Sequence, residues 1–319
     1  MMGNPERPLA SEDTIDRRGM LKCMAWVGTG LLWSLHAGIP ASRLLGQEPK
    51  NAGASSFSFV QISDSHIGFG KEPNKDVVGT LKTAIAKINA LPVQPAFVLH
   101  TGDLTHLAKP EEFDTVAEVL KSVKSQVLYV PGEHDFDSDD NKLYLERFGK
   151  NTKGTGWYSF NHKGTHFIGL VNVANAKSGS PAAGLGQIGK DQLDWLGKDL
   201  VGVNDSTPIV VFAHVPLWMV HEKWGWGTQD SQQALTLLKR FGSVTVLNGH
   251  IHQVMQKVEG KVVFHSARST AFPQSEPGKG TPGPIRDVPA NRLRSMLGLT
   301  TVKHVEHETS LAIADPNLE

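Results

Sequence analysis

Five times along this chain a short apolar run ends at once in carboxylate or imidazole side chains. Residues 57–62 run into Asp64-Ser65-His66, residues 96–99 into Gly102-Asp103, and residues 127–130 into Gly132-Glu133-His134-Asp135. Residues 209–212 lead to Ala213-His214, and residues 244–247 to Gly249-His250-Ile251-His252. Between these runs the apolar positions recur with helical period over residues 77–88, 111–123 with Pro110 at the entry, 139–148, 189–200 and 231–241. Residues 157–160 with 167–171, and 254–258 with 261–264, read as two hairpins. Near-continuous apolar strands alternating with helices imply an α/β fold with a largely parallel sheet covered on both faces. In such a sheet the loops at the carboxyl ends of the strands converge on one crevice, so the five clusters can meet.

The residue types narrow the chemistry. Asp64, His66, Asp103, Glu133, His214, His250 and His252 offer oxygen and nitrogen donors suited to ions of the Mn, Fe or Zn type. A single cysteine, Cys23, excludes a thiolate cage and a disulfide framework. In an extended segment Asp-x-His and His-x-His place both ligands on one side, because side chains alternate with period two. Glycine beside Asp103, Glu133 and His250 permits a tight turn near a ligand. Each group alone has an ordinary alternative: Asp64 could cap a helix, and His214 could be a core or surface imidazole. Five clusters of one ligand class at five strand ends point instead to a shared metal site. His36, His162, His221, His304 and His307 lack that pattern and are read as ordinary structural or surface residues.

Charge and the chain ends set the setting. The 32 Lys and Arg balance 32 Asp and Glu with no basic block, so duplex nucleic acid and anionic membranes are not expected partners. Asp16-Arg17-Arg18-Gly19-Met20-Leu21-Lys22 precedes an apolar stretch over residues 23–35 that is too short for a membrane span. This is the pattern of an export signal, with a basic amphipathic arm as the alternative. It resembles a twin-arginine (Tat) signal, which implies the Tat export machinery as a partner and a periplasmic or extracellular location. Residues 273–289 carry five prolines and read as an irregular wrapping segment or linker.

Taken in order, Asp64-x-His66, Gly102-Asp103, Gly132-Glu133-His134-Asp135, His214 and Gly249-His250-x-His252 resemble the motif set of calcineurin-like metallophosphoesterases, over about residues 57–272. Gln192-Leu193-x-Trp195-Leu196 is similar to a helix of the branch that contains cyclic-nucleotide and glycerophosphodiester phosphodiesterases. The resemblance implies a four-layer α/β/β/α sandwich with two mixed sheets and a dinuclear metal site at the carboxyl ends of the strands. The expected division is a signal over residues 1–41, a linker over 42–55, the metallophosphoesterase domain over 56–272 and a Pro/Gly-rich C-terminal segment over 273–319. The resemblance further implies that Asp64, His66, Asp103 and His252 hold one ion, with Asp103 bridging. Position 133, His214 and His250 hold the other, and His134 is a non-ligand imidazole that contacts phosphate. Two divalent or mixed-valence ions would supply a bridging hydroxide that attacks phosphorus, while His134 stabilises the equatorial oxygens or protonates the leaving alkoxide.

One departure bears on substrate. The family usually has Asn before the catalytic His, and here Glu133 stands there. With two carboxylates and a hydroxide, two divalent ions keep one positive charge, and a third carboxylate removes it. A neutral centre attracts a dianionic monoester less strongly, which predicts a preference for monoanionic phosphodiesters, or else a trivalent ion at one position. The alternative is that Glu133 turns away to pair with Lys or Arg. His106 stands three residues after the bridging Asp, where purple acid phosphatases carry Tyr, which argues against that subgroup; His106 and Asp135 are expected behind the ligands. The expected function is an exported metal-dependent phosphoric ester hydrolase acting on a small phosphate ester, a phosphodiesterase by the charge argument. The alternatives are a phosphomonoesterase and a non-catalytic metal-binding interaction module, which would have no use for the free His134 imidazole.

Overall fold

A computed structural model describes residues 31–36, 39–44, 56–136, 141–173, 185–305, 308 and 310–319. Arg17, Arg18 and most of the expected signal lie outside the described residues, as does His307. Within residues 1–47, which form a unit of their own, β1 (Leu31–His36) pairs antiparallel with β2 (Ile39–Leu44).

The remaining unit, residues 48–319, contains two sheets. The first is built around β3 (Phe57–Ile62), β4 (Phe97–His100) and β5 (Gln126–Tyr129), which run parallel. Helix α1 (Val77–Asn89) connects β3 to β4, and Asp76 caps it by accepting from the Gly79 N–H at 2.8 Å. Helix α2 (Pro110–Leu120) connects β4 to β5, with proline in its first turn, where the missing N–H costs nothing. After α3 (Lys142–Phe148), the hairpin β6 (Tyr158–His162) and β7 (Thr165–Gly169) opens the second sheet. There α4 (Lys190–Asp199) leads to β8 (Ile209–Phe212), α5 (Ser231–Leu238) to β9 (Val244–Asn248), and the hairpin β10 (Met255–Glu259) and β11 (Val262–Ser266) completes the order β10-β11-β9-β8-β7-β6.

The single largely parallel sheet expected from the pattern is therefore two mixed sheets, in the four-layer α/β/β/α arrangement. The physical reason lies in what covers the strands. Phe57, Phe59, Phe97 and Leu99 of the first sheet pack on Phe167, Val210, Phe212 and Leu247 of the second, so each sheet covers one face of the other. Leu81, Ile85, Ile88, Phe113 and Val116 of α1 and α2 cover the outer face of the first sheet; Leu196, Ala234 and Leu238 of α4 and α5 cover that of the second. Strands buried on both faces look the same in sequence whichever neighbour buries them. No helix among the described residues is long and apolar enough to cross a membrane.

Residues beyond 272 also belong to this unit. Helix α6 (Ala290–Met296) is followed by β12 (Thr300–His304) and β13 (Ala312–Ala314), and β12 lies antiparallel between β3 and β13, giving the order β13-β12-β3-β4-β5. Leu293, Leu297, Leu299 and Leu318 are buried in the core beneath α1 and α2. β12 pairs with β3 along residues 57–61, so the stretch beyond 272 completes the first sheet. Leu297→Ala should accordingly cost about 2–5 kcal/mol, read from urea unfolding, against about 0.5 kcal/mol or less for Val258→Ala on the exposed β10 edge. Equal small losses would show that the C-terminal segment is not part of the core.

Candidate metal centre

All parallel strands of both sheets end at the same edge, and the loops there are laced together. Asp64 and His66 follow β3, and their N–H groups donate to the Gly102 and Asp103 carbonyls at 3.0 and 2.9 Å. On the other sheet the Gly249 N–H donates to the His214 carbonyl at 3.0 Å. The two halves are joined by Gln61, buried between the sheets, whose amide donates to Thr101 Oγ1 at 2.9 Å and to the Asn248 carbonyl at 3.0 Å. Ser269 Oγ donates to the Asp64 carbonyl at 2.7 Å.

The period-two argument for Asp-x-His and His-x-His does not describe these loops. Asp64, His66, Asp103, His250 and His252 have φ of 55°, 41°, 53°, 69° and 54°, in the left-handed region. The ligands share a direction because each of these backbones turns sharply, not because the segment is extended. Asp and His tolerate such φ better than most residues, but each such position costs of order 1 kcal/mol or more unless the surroundings fix it. Gly102 adopts φ +96, and a Cβ there would lie 2.5 Å from His214 Nδ1, so here the turn and the close approach both require glycine.

Two groups of donors result. In the first, His66 Nε2 lies 3.2 Å from His252 Nε2 and 3.4 Å from Asp103 Oδ2, and His252 Nε2 lies 3.2 Å from Asp64 Oδ1. In the second, Glu133 Oε2 lies 2.8 Å from His214 Nε2, and Glu133 Oε1 lies 2.8 Å from His250 Nδ1. Asp103 Oδ2, 3.3 Å from His214 Nε2, stands between both. Three-residue sets suited to a cation are Asp64-His66-His252, Glu133-His214-His250 and Asp64-Asp103-His214, among others.

These groups fit a metal pair on their own chemistry. His214 Nδ1 donates to the Thr101 carbonyl at 2.7 Å and His252 Nδ1 to the Phe272 carbonyl at 2.6 Å, which leaves both Nε2 atoms as lone pairs facing the centre. Glu133 Oε2, His214 Nε2 and both ring nitrogens of His250 are buried without a hydrogen-bond partner of proper geometry. Without a cation, the carboxylates and imidazoles of the site compensate one another. Burial opposes the charge on His214, yet Asp103 and Glu133 lift it well above the ordinary imidazole value. Burial likewise works against Asp64, and His252 and His214 still hold it at about 2. His66, buried and crowded by His134, His252 and His106, is pushed well below the usual range, as a neutral ligand should be.

The other expected residues also converge here. Glu133 faces the centre and no Lys or Arg among the described residues meets it; burial pushes its carboxyl up, but His250 and His214 hold it well below the usual range. His134 Nδ1 donates to the His106 carbonyl at 2.7 Å and its ring stacks on His106 at 5.0 Å. Asp135 is buried behind them, accepting from the N–H groups of Leu104, Thr105 and Gly132 at 2.8–3.0 Å and so bracing the Asp103 loop. Gln192, on α4, clamps both the N–H and the C=O of Val171 past the end of β7. His162, His221 and His304 join none of the donor sets; His162 and His304 flank Phe57, and His221 packs on Trp224.

Sequence reasoning missed His100. It is fully buried in β4, its Nε2 is 3.0 Å from Ser65 Oγ, and burial beside His214 pushes it down to about 3. Its signal was a lone imidazole inside an apolar run, next to Thr101-Gly102-Asp103. The carbonyls of Thr101, Phe272 and His106 that fix the imidazoles carry no sequence signal, because any residue supplies one.

Comparison with known proteins agrees with this geometry. The calcineurin-like phosphoesterase family model matches residues 57–254. A 3′,5′-cyclic-nucleotide phosphodiesterase of Nostoc sp. is 25% identical, covering 67% of this chain and 79% of that protein. A probable glycerophosphodiester phosphodiesterase of Arcobacter nitrofigilis is 27% identical, covering 66% of this chain and 77% of that protein. Among solved structures, a dimetal phosphatase from Danio rerio superposes with a TM-score of 0.62 at 14% identity, covering 82% of this chain and 96% of that one. A purple acid phosphatase from yellow lupin superposes with a TM-score of 0.61 at 12% identity, covering 88% and 54%. With its family model spanning every donor cluster, the chain belongs to the calcineurin-like phosphoesterases and is a metal-dependent phosphoric ester hydrolase.

Proposed function

We propose that the protein is an exported phosphodiesterase with two metal ions, acting on small monoanionic phosphodiesters. Asp64, His66, Asp103 and His252 would hold one ion and Glu133, His214 and His250 the other, with Asp103 between the two groups. The observation that carries the reading is the third carboxylate: both oxygens of Glu133 lie 2.8 Å from an imidazole nitrogen of the second group. Asp64, Asp103 and Glu133 together offset most of the charge of two divalent ions, so the centre discriminates against a dianionic monoester. The diesterase names of the Nostoc and Arcobacter relatives support the same substrate class.

Two such ions, when bound, supply Lewis-acid charge and an activated water. The chain's own residues supply the rest. The His106 carbonyl occupies His134 Nδ1, so Nε2 is the nitrogen available to substrate. Burial disfavours the charged ring, but before any ion is bound Asp103 and Glu133 raise its pKa above the ordinary value. That suits a group which steadies the phosphoryl oxygens and then protonates the departing alkoxide. The His134 N–H donates to Asp103 Oδ1 at 2.9 Å, coupling the position of the acid to that of the shared carboxylate.

The proposed roles separate in two variants. His134→Ala should keep its metal while turnover falls about 10²- to 10⁴-fold, and Asp103→Ala should lose both metal and turnover. Metal analysis with a diester assay reads this, and loss of both metals in His134→Ala would reverse the assignments. The Arg17-Arg18 pattern supports export, so the protein should be recovered from the periplasmic fraction; recovery only from cytoplasm removes export from the proposal.

The substrate claim has its own test. In Glu133→Asn the ratio of kcat/KM for an aryl monoester to that for the matched diester should rise roughly tenfold, as expected for one restored charge near the phosphate. An unchanged ratio with unchanged metal identity would show that Glu133 does not set the charge preference.

A further inference from the structure

Past His250 the site runs into a pair of indoles that belong to neither sheet's core. Trp226 is 2% exposed and its ring lies 6.5 Å from that of His250, edge to face. Trp224 stands perpendicular to Trp226 at 5.0 Å and is only half-buried. Neither is part of the apolar clusters that line the two sheets. Trp224 is thus the open end of a row of rings that starts at the metal-type imidazole His250 and passes through Trp226, a place suited to a ligand rather than to packing.

The turn that carries Trp224 is stiff. The Val220 N–H donates to the Trp226 carbonyl at 2.7 Å, the Trp226 N–H to the His221 carbonyl at 3.1 Å, and the Gly225 N–H to the Glu222 carbonyl at 2.9 Å. Gly225, at φ 73°, closes the turn in the left-handed region. Trp224 is therefore fixed before a ligand arrives, which removes an ordering cost from binding. Gln274 Nε2 donates to the His250 carbonyl at 3.0 Å, and Gln253 Nε2 donates to the carbonyls of Gln274 and Ser275. This ties the start of the proline-rich segment to the metal-side loop. The same segment brings Gly278 to His221, where an added Cβ would lie 3.7 Å from Nε2.

His221 adds a polar edge. Its ring is 4.8 Å from Trp224, and its Nδ1 is buried with no hydrogen-bond partner. A flat indole face beside an unused ring nitrogen matches a planar ring with polar atoms on its rim. We propose that Trp224, with His221 beside it, binds a flat aromatic or heteroaromatic substituent on the phosphodiester. The proposal rests on the diesterase reading and narrows it: esters of nucleosides or aryl alcohols are favoured over esters of glycerol.

The test is binding to the metal-loaded protein, read by quenching of indole fluorescence and by competitive inhibition, with adenosine 5′-monophosphate and glycerol 3-phosphate as probes. Stacking of one base predicts that the nucleotide binds about tenfold more tightly than glycerol 3-phosphate. Trp224→Ala should remove that difference and leave glycerol 3-phosphate binding unchanged, while Trp224→Phe should keep most of it. Equal affinity of wild type for both probes overturns the proposal, and so does an equal loss for both in Trp224→Ala. The wild-type ratio alone decides the matter if Trp224→Ala does not fold. Because the titration needs no turnover, a protein that hydrolyses no diester yet binds the nucleotide selectively would refute the proposed reaction and leave this surface standing.

Discussion

The structure depends on one shared carboxylate. Asp103 is buried, and its Oδ2 lies within 3.4 Å of imidazoles from both sheets, His66 on one side and His214 on the other. Its second oxygen accepts from the His134 N–H, so the same side chain fixes the acid. A charge in that place is costly unless it is compensated. His214, its outer nitrogen already committed to a carbonyl, stands beside it, and the carboxylates of Asp64 and Glu133 add negative charge that a cation would offset. The lone pairs of His66 and His252, 3.2 Å apart, are mutually repulsive without a proton or a cation between them. The fold brings together groups that a metal pair would satisfy and that nothing else among the described residues does.

Holding them there requires strained backbone. Five of the donor residues sit at positive φ, and the offset comes from the ladders below: parallel strands of two sheets that end level, cross-linked by Gln61, Ser269 and the loop hydrogen bonds. Sheet-on-sheet packing makes this possible, because it sets both parallel edges side by side. Helices on both faces of one sheet would have covered the strands equally well but could not have brought His214 and His250 against Asp64 and Asp103 in this way.

Much of this is legible in the sequence. The donor set could be read because each ligand follows directly on an apolar strand, and strand ends in parallel sheets converge. Glu133 was legible as a departure from the family pattern, and it stands against both His214 and His250. The layer order rested on resemblance, since residues 209–212 look the same under a helix or under another sheet. The strand β12 escaped notice because Thr300, Thr301, Lys303 and His304 give a polar surface pattern, and only Val302 marks its core face; its pairing with β3 lies far away in sequence. The left-handed turns escaped for a different reason: Asp and His were expected to be extended, and only glycine advertises positive φ.

The shared carboxylate can be tested by electron paramagnetic resonance of protein loaded with two equivalents of Mn²⁺. If Asp103 spans both ions, their separation falls in the range of about 3.5–4 Å typical of two-metal sites, and the spectrum shows an exchange-coupled pair. Glu133→Ala should then convert it to the signal of a single ion. A wild-type spectrum of isolated Mn²⁺, at one or two equivalents bound, would contradict the account.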